Sequence, residues 1–347
     1  MINNPILNLK GSFPNGMEWT QSNITEGKFG GVYNANGIWF AYGDSLYYSE
    51  DGKTWTQGNI TCGYINKVYN ANGIWVVGST SKGFYYSEDG KTWTQSNITN
   101  TGCYDIYNAN GIWVAGSNNN NGLYYSEDGK TWTQSNITSG KFNGIYNANG
   151  IWVVGSYGSN GLYYSEDGKT WTQSNITSGR YERVYNANGI WVACNTNKSV
   201  SSSKGLYYSE DGKTWTQSNI TTGIFHDVYN ANGIWVASGL DVLYYSEDGK
   251  TWTQSNITGK SFICVYNANG IWVAGSNRKD GYSFYYSEDG KTWTYSNISN
   301  IYVFDVYNVN GIWVASCGEG IYYSVTWEEN GGSSGGGSSG GSTTISL

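Results

Sequence analysis

Short runs rich in Tyr, Trp, Val and Ile, punctuated by Gly and Asn, recur along the chain. They do not space apolar residues three and four apart, as a helix face requires, so the pattern predicts strands. One stretch shows the grammar. Val68-Tyr69-Asn70 ends a first strand, and Ala71-Asn72-Gly73 supplies a turn, because Asn and Gly tolerate positive φ. Ile74 to Gly78 is a second strand, apolar on both faces as expected between two neighbouring sheets. A loop of changing length leads to a third strand, Phe84 to Ser87. Glu88-Asp89-Gly90-Lys91 is a tight hairpin turn built on Asp-Gly, and Trp93 to Ile98 is the fourth strand.

This unit repeats. Asn-Gly-Ile-Trp occurs eight times, with glycines at 37, 73, 111, 150, 189, 233, 270 and 311. A period near 40 residues with four strands per period fits a propeller blade. The expected fold is therefore all-β: an eight-bladed β-propeller of four-stranded blades over residues 1–330. The two ends are the imperfect copies. Residues 14–25 align with a fourth strand alone, whereas Val306 to Ser324 supplies three strands and then loses the pattern. The N-terminal strand is expected to complete the eighth blade, with residues 17–24 pairing with 321–324, since closure removes exposed sheet edges. Residues 331–342 are Gly and Ser only and read as a flexible linker, followed by a tail at 343–347.

Ser-Glu-Asp-Gly-Lys-Thr-Trp, at Ser49 to Trp55 and six further places, resembles the Asp-box of sialidase-type (BNR) propellers. That family's pattern is usually written Ser-x-Asp-x-Gly-x-Thr-Trp, so this version is one residue shorter between Asp and Gly. The resemblance covers residues 14 to 327 and implies a propeller in which the box is a structural hairpin. Its carboxylate and hydroxyl would satisfy turn amides while the tryptophan packs between strands. Asp51, Asp89, Asp128, Asp167, Asp211, Asp248 and Asp289 take that structural role. The family's enzymes clamp a carboxylate with three arginines and use a Tyr–Glu nucleophile pair. The only arginines here are Arg180, Arg183 and Arg278, two of them in one connection, and the Arg-Ile-Pro signature is absent. The resemblance therefore implies a non-enzymatic propeller.

Composition narrows the function further. Abundant Tyr (32) and Trp (17) with two prolines argue against disorder and against collagen. The net charge of −7 equals the sum over seven Glu-Asp-Gly-Lys turns, so the acidity belongs to a structural element. With no basic tract, nucleic acid is not an expected partner. No apolar run is long enough to span a bilayer, and residues 1–13 lack a signal-peptide core, so neither membrane insertion nor an intact secretion leader is expected. Localisation stays open, from a cytoplasmic product to part of an extracellular or phage particle. His226 is the only histidine, so a relay would rest on His226-Asp227 with no nucleophile motif around it. One histidine and five scattered cysteines give neither metal-ligand spacing nor a disulfide framework, and no cofactor is expected. Eight Asn-Ile-Thr/Ser sequons read as strand ends.

The copies disagree in two places only: between the fourth strand and the next first strand, and between second and third strands. Antiparallel order brings both connections to one face of the disc and leaves the other face nearly uniform. In the first segment one position stays mostly large and apolar (Phe29, Ile65, Phe142, Tyr181, Phe225, Phe262, Val303) and is expected to point inward. Its neighbours are expected to face solvent and ligand: Lys28, Tyr64, Lys67, Tyr104, Asp105, Lys141, Arg180, Glu182, Arg183, His226, Asp227, Tyr302, Phe304 and Asp305. Tyr157, Arg278 and Tyr282 join them from the second loop. Tyr and Arg combine contact area with polar versatility, and loops on a rigid scaffold favour binding. The sequence thus points to a non-catalytic recognition module for a cell-surface glycan or protein, as in an adhesin or a phage-tail or tailocin receptor-binding protein, tethered through its linker. A lectin with about eight equivalent sites and an assembly scaffold are the alternatives.

Overall fold

The computed structural model describes residues 18–197, 204–277 and 281–325. Within them, 32 strands form eight four-stranded antiparallel sheets. In blade 1 the strands are Phe29–Ala35, Ile38–Gly43, Leu46–Ser49 and Thr56–Gln57. Blades 2 to 7 cover residues 65–95, 103–134, 142–173, 181–217, 225–258 and 262–295, and blade 8 begins at residue 303. Its outer strand comes from the other end of the chain. Thr20 lies opposite Tyr323 and Gln21 opposite Tyr322, with backbone bonds from Ser22 N to Ile321 O and from Ile321 N to Ile24 O. The eight-bladed propeller closed by its N-terminal strand is the fold of this chain. Arg278, the linker at 331–342 and the tail lie outside the described residues.

The core sits between blades. One cluster joins Val114 and Leu123 of blade 3 to Phe142, Trp152 and Trp171 of blade 4, and the equivalent set recurs around the ring. The Asp-Gly hairpins fold as their residue types dictate. The Ser87 hydroxyl donates to Asp89 Oδ1 (2.8 Å) and accepts from Gly90 N, while the same carboxylate oxygen accepts from the amides of Lys91 and Thr92 (2.7 Å each). Those bonds hold the Asp89 carboxyl below the usual carboxylate range. Gly90 takes φ 73°, which the turn requires.

The fourth strands are shorter than the sequence suggests, two residues in every blade except blade 6. The reason is a competing use of the next residues. Ser96 Oγ accepts from Ile98 N, and Asn97 turns to the next blade, where its Oδ1 accepts from Trp132 N and its Nδ2 donates to Trp132 O (2.8 Å each). The same two-bond clasp joins Asn23 to Trp55, Asn136 to Trp171, Asn175 to Trp215, Asn219 to Trp252, Asn256 to Trp293 and Asn297 to Trp19. Seven of the eight sequon asparagines, all but Asn59, are thus blade-to-blade fasteners. On the turn face, lysine reaches back to the preceding blade's glutamate in six pairs such as Lys130–Glu88. These pairs are largely exposed and add little each.

Uniformity conceals one further element. Tyr33, Tyr69, Tyr107, Tyr146, Tyr185, Tyr229, Tyr266 and Tyr307 form a closed ring around the channel, with neighbouring centroids 4.9 to 5.9 Å apart. Each also meets the next blade's tryptophan edge-on, as Tyr107 meets Trp152 at 6.1 Å. Burial pushes the phenols of Tyr33 and Tyr107 up to about 12.

Candidate recognition face

The two variable connections of each blade are not independent loops. In all eight blades one backbone bond pins them together: Asp44 N to Lys28 O, Thr80 N to Tyr64 O, Asn118 N to Gly102 O, Tyr157 N to Lys141 O, Thr196 N to Arg180 O, Leu240 N to Ile224 O, Asn277 N to Ser261 O and Gly318 N to Tyr302 O. Every pair is sixteen residues apart. The main chain is held constant while the side chains differ, so each blade presents two freely chosen groups on a fixed frame.

Across blades 3 to 6 these groups converge. Tyr157 is sandwiched between Tyr104, with centroids 4.3 Å apart, and the Arg180 guanidinium, 3.6 Å from its ring. Arg180 pairs with Glu182, which also accepts a bond from the Thr196 hydroxyl (2.9 Å). Arg180, Glu182, Thr196, Ile224, His226 and Leu240 line an open cleft of about 290 Å³. Ile224 is buried, whereas Leu240 leaves 38 % of its surface exposed. Burial pulls the His226 imidazole below its ordinary range, which makes it a neutral donor and acceptor at pH 7. The cleft offers one apolar wall, one internally neutralised polar wall, and no activated nucleophile.

The other expected site residues divide. Lys28 is exposed; Tyr64 is half-buried and lays its hydroxyl against Gly30 of blade 1. Lys141 stands beside Tyr157 through the backbone pin. Tyr302 and Phe304 are exposed (39 % and 37 %), with near-parallel rings 6.4 Å apart. Tyr282 instead points to the outer rim and stacks on Tyr295 at 3.7 Å, where other blades bond glutamine to a loop carbonyl, as Gln134 does to Asn121 O. Thr196, Ile224 and Leu240 were not expected.

Asp105 and Asp227 require correction. Asp105 and Asp227 do not face solvent; they are 6 % and 5 % exposed. Each stands two residues beyond the inward position, on the same face by strand alternation, at a β-bulge such as that between Cys103 and Asp105. Each aspartate then reaches the next blade: Asp105 Oδ2 accepts from Ile145 N (2.9 Å), Asp227 Oδ2 from Val265 N (3.0 Å) and Asp305 Oδ2 from Val32 N (3.1 Å). Lys67 and Arg183 are their counter-ions, pairing with Asp105 at 3.1 Å and Asp227 at 2.5 Å. Asp227 is therefore not positioned as a partner for His226.

Asp305 is half-buried, and burial pushes its carboxyl up to about 6 against the pull of the Val32 amide, Arg183 and Lys67 and with the push of Asp227. A carboxyl whose pKa is raised on folding stabilises the fold below its ordinary value and loses that contribution as pH rises through about 6. The stability advantage of the parent over Asp305→Asn should therefore shrink from pH 4 to pH 7. A pH-independent difference in melting temperature would contradict this assignment.

No family model matches the chain, and no curated protein matches it. Solved structures do. The computationally designed Ika8 protein superposes with a TM-score of 0.71 at 10 % identity, over 90 % of this chain and 100 % of that one. YCF48 bound to D1 peptide gives 0.55 at 15 % identity over 94 % and 100 %. The WD40 β-propeller domain of Doa1 gives 0.55 at 10 % over 90 % and 98 %. At such identities the likeness is one of fold.

Proposed function

We propose that this protein is a non-catalytic recognition module that binds its partner on the variable face, centred on the Tyr104–Tyr157–Arg180 stack and the adjoining cleft. One observation carries this reading. The same backbone bond is kept in all eight blades while the side chains on either side of it change freely. Topology supports it. The outer strand of blade 8 starts, and its third strand ends, on the uniform face, opposite the variable one. That polarity suits an adhesin or a particle-borne receptor-binding part. A protein or peptide partner is favoured by the neighbour solved with a peptide bound. An eight-site lectin has less to stand on: the repeat tryptophans are packed, and in six blades a lysine Nζ sits 5.5 to 5.6 Å above the uniform tyrosine.

The test starts from a ligand found on glycan and peptide arrays. Arg180→Ala and Leu240→Ala should each weaken it by roughly 2 kcal/mol or more if they anchor the contact. Charge reversal at Glu88, Glu127 and Glu166 should leave affinity unchanged, and stoichiometry should be one ligand per chain. Loss of binding only in the charge-reversed protein would move the site to the uniform face.

A further inference from the structure

The channel wall beneath the variable face carries three equivalent aspartates, and two of them show what the third lacks. Asp105 Oδ1 accepts from its own Ile106 amide and pairs with Lys67 of the preceding blade. Asp227 Oδ1 accepts from Val228 N and pairs with Arg183 of the preceding blade. Asp305 repeats both backbone bonds, from Val306 N at 3.0 Å and Val32 N at 3.1 Å. The residue of blade 7 in register with Lys67 and Arg183 is Cys264, a thiol that can supply no cation. Among the described residues no ion pair reaches Asp305, and it is the most exposed of the three.

The neighbours of Asp305 along the strand are exposed aromatics, whereas Asp227 follows the half-buried His226 and Asp105 the half-buried Tyr104. Phe304 and Tyr302 are among the few large apolar side chains left exposed, and their rings run near-parallel at the channel mouth. Ile263 of blade 7, half-buried, occupies the same register as Phe304. A carboxylate beside exposed aromatic rings on the same strand fits a side chain with an apolar stem and a cationic tip, because the stem covers the rings while the tip meets the charge.

We propose that Asp305, Phe304 and Tyr302 form a receptor for a lysine or arginine side chain of a partner protein, entering the channel mouth at blade 8. The inserted cation takes the place on Oδ1 that Lys67 and Arg183 fill at the other two aspartates. Burial of a carboxylate that has two amide donors but no cation paired to it is the cost such a cation would relieve. The site lies on the face assigned above to recognition, but its residues are separate from the cleft on blades 5 and 6.

The experiment titrates carboxyl-labelled protein with N-acetylargininamide, read by the Asp305 carboxyl resonance, with the uncharged N-acetylcitrullinamide as control. The arginine derivative should move the Asp305 signal saturably and lower its pKa, with affinity falling as salt is raised. Phe304→Ala should weaken that response several-fold, and Glu127→Gln on the uniform face should leave it unchanged. Binding measured by calorimetry should fall at least tenfold in Asp305→Asn. An equal response to the citrulline derivative would overturn the proposal. So would an unmoved Asp305 signal up to the solubility limit, or full binding by Asp305→Asn. Such a failure would leave the cleft untouched, and failure of the cleft variants would leave the Asp305 response intact.

Discussion

A chain shortened by its first 25 residues should aggregate, or melt with a loss of about 5 kcal/mol or more, the scale expected when a buried tryptophan and a neighbouring aliphatic are removed together. The segment it loses is the outer strand of blade 8. Trp19 is buried there and stacks on Phe284 at 4.1 Å, and its backbone is clasped by Asn297 of blade 7. Ile24 lies in the cluster joining blades 8 and 1. Without these residues the strand Gly320–Val325 becomes an open edge, free to pair with another copy. Thermal melting with light scattering reads both effects. A monomer with the parent's melting temperature would mean that the seam is not a structural necessity.

The fold was legible because its signals repeat. Eight copies of Asn-Gly-Ile-Trp fix the blade number, and the defective copies at the two ends carry the closure. The candidate site was only partly legible, and the reasons are physical. The sequence reading turns every neighbour of the inward apolar position to solvent, but Asp105 and Asp227 stand two residues beyond it, which strand alternation returns to the inward face, and there they accept from the next blade's amide. Leu240 and Thr196 went unnoticed because they meet Ile224 and Arg180 through a backbone bond, which leaves no residue-type signature. The constant spacing of sixteen was the available signal. The tyrosine ring was hidden for the opposite reason. A search for differences among repeats passes over a position that never changes, although invariance across eight blades is what a closed ring requires.

The sharpest consequence concerns Asp227, which the sequence reading placed among ligand contacts. Its carboxylate satisfies the amides of Val228 and Val265 and the guanidinium of Arg183, and it is itself buried. Asp227→Ala should therefore destabilise the whole protein by about 3 to 5 kcal/mol, because two amides and a cation lose their acceptor at once. Arg183→Ala should cost less, about 1 to 2 kcal/mol, since the half-exposed guanidinium is partly screened and Asp227, though it loses its cation, keeps both amide bonds. The two variants break the same ion pair, so equal losses would mean that the pair itself is what matters. A large loss for aspartate alone, measured by denaturant unfolding, would show that the backbone amide across blades 6 and 7 is the true partner. Ligand affinity offers the second discrimination. If Asp227 is a fastener, Asp227→Asn, which keeps one acceptor oxygen, should bind the array-selected ligand as the parent does wherever it remains folded. If affinity fell while the melting temperature held, Asp227 would return to the binding surface.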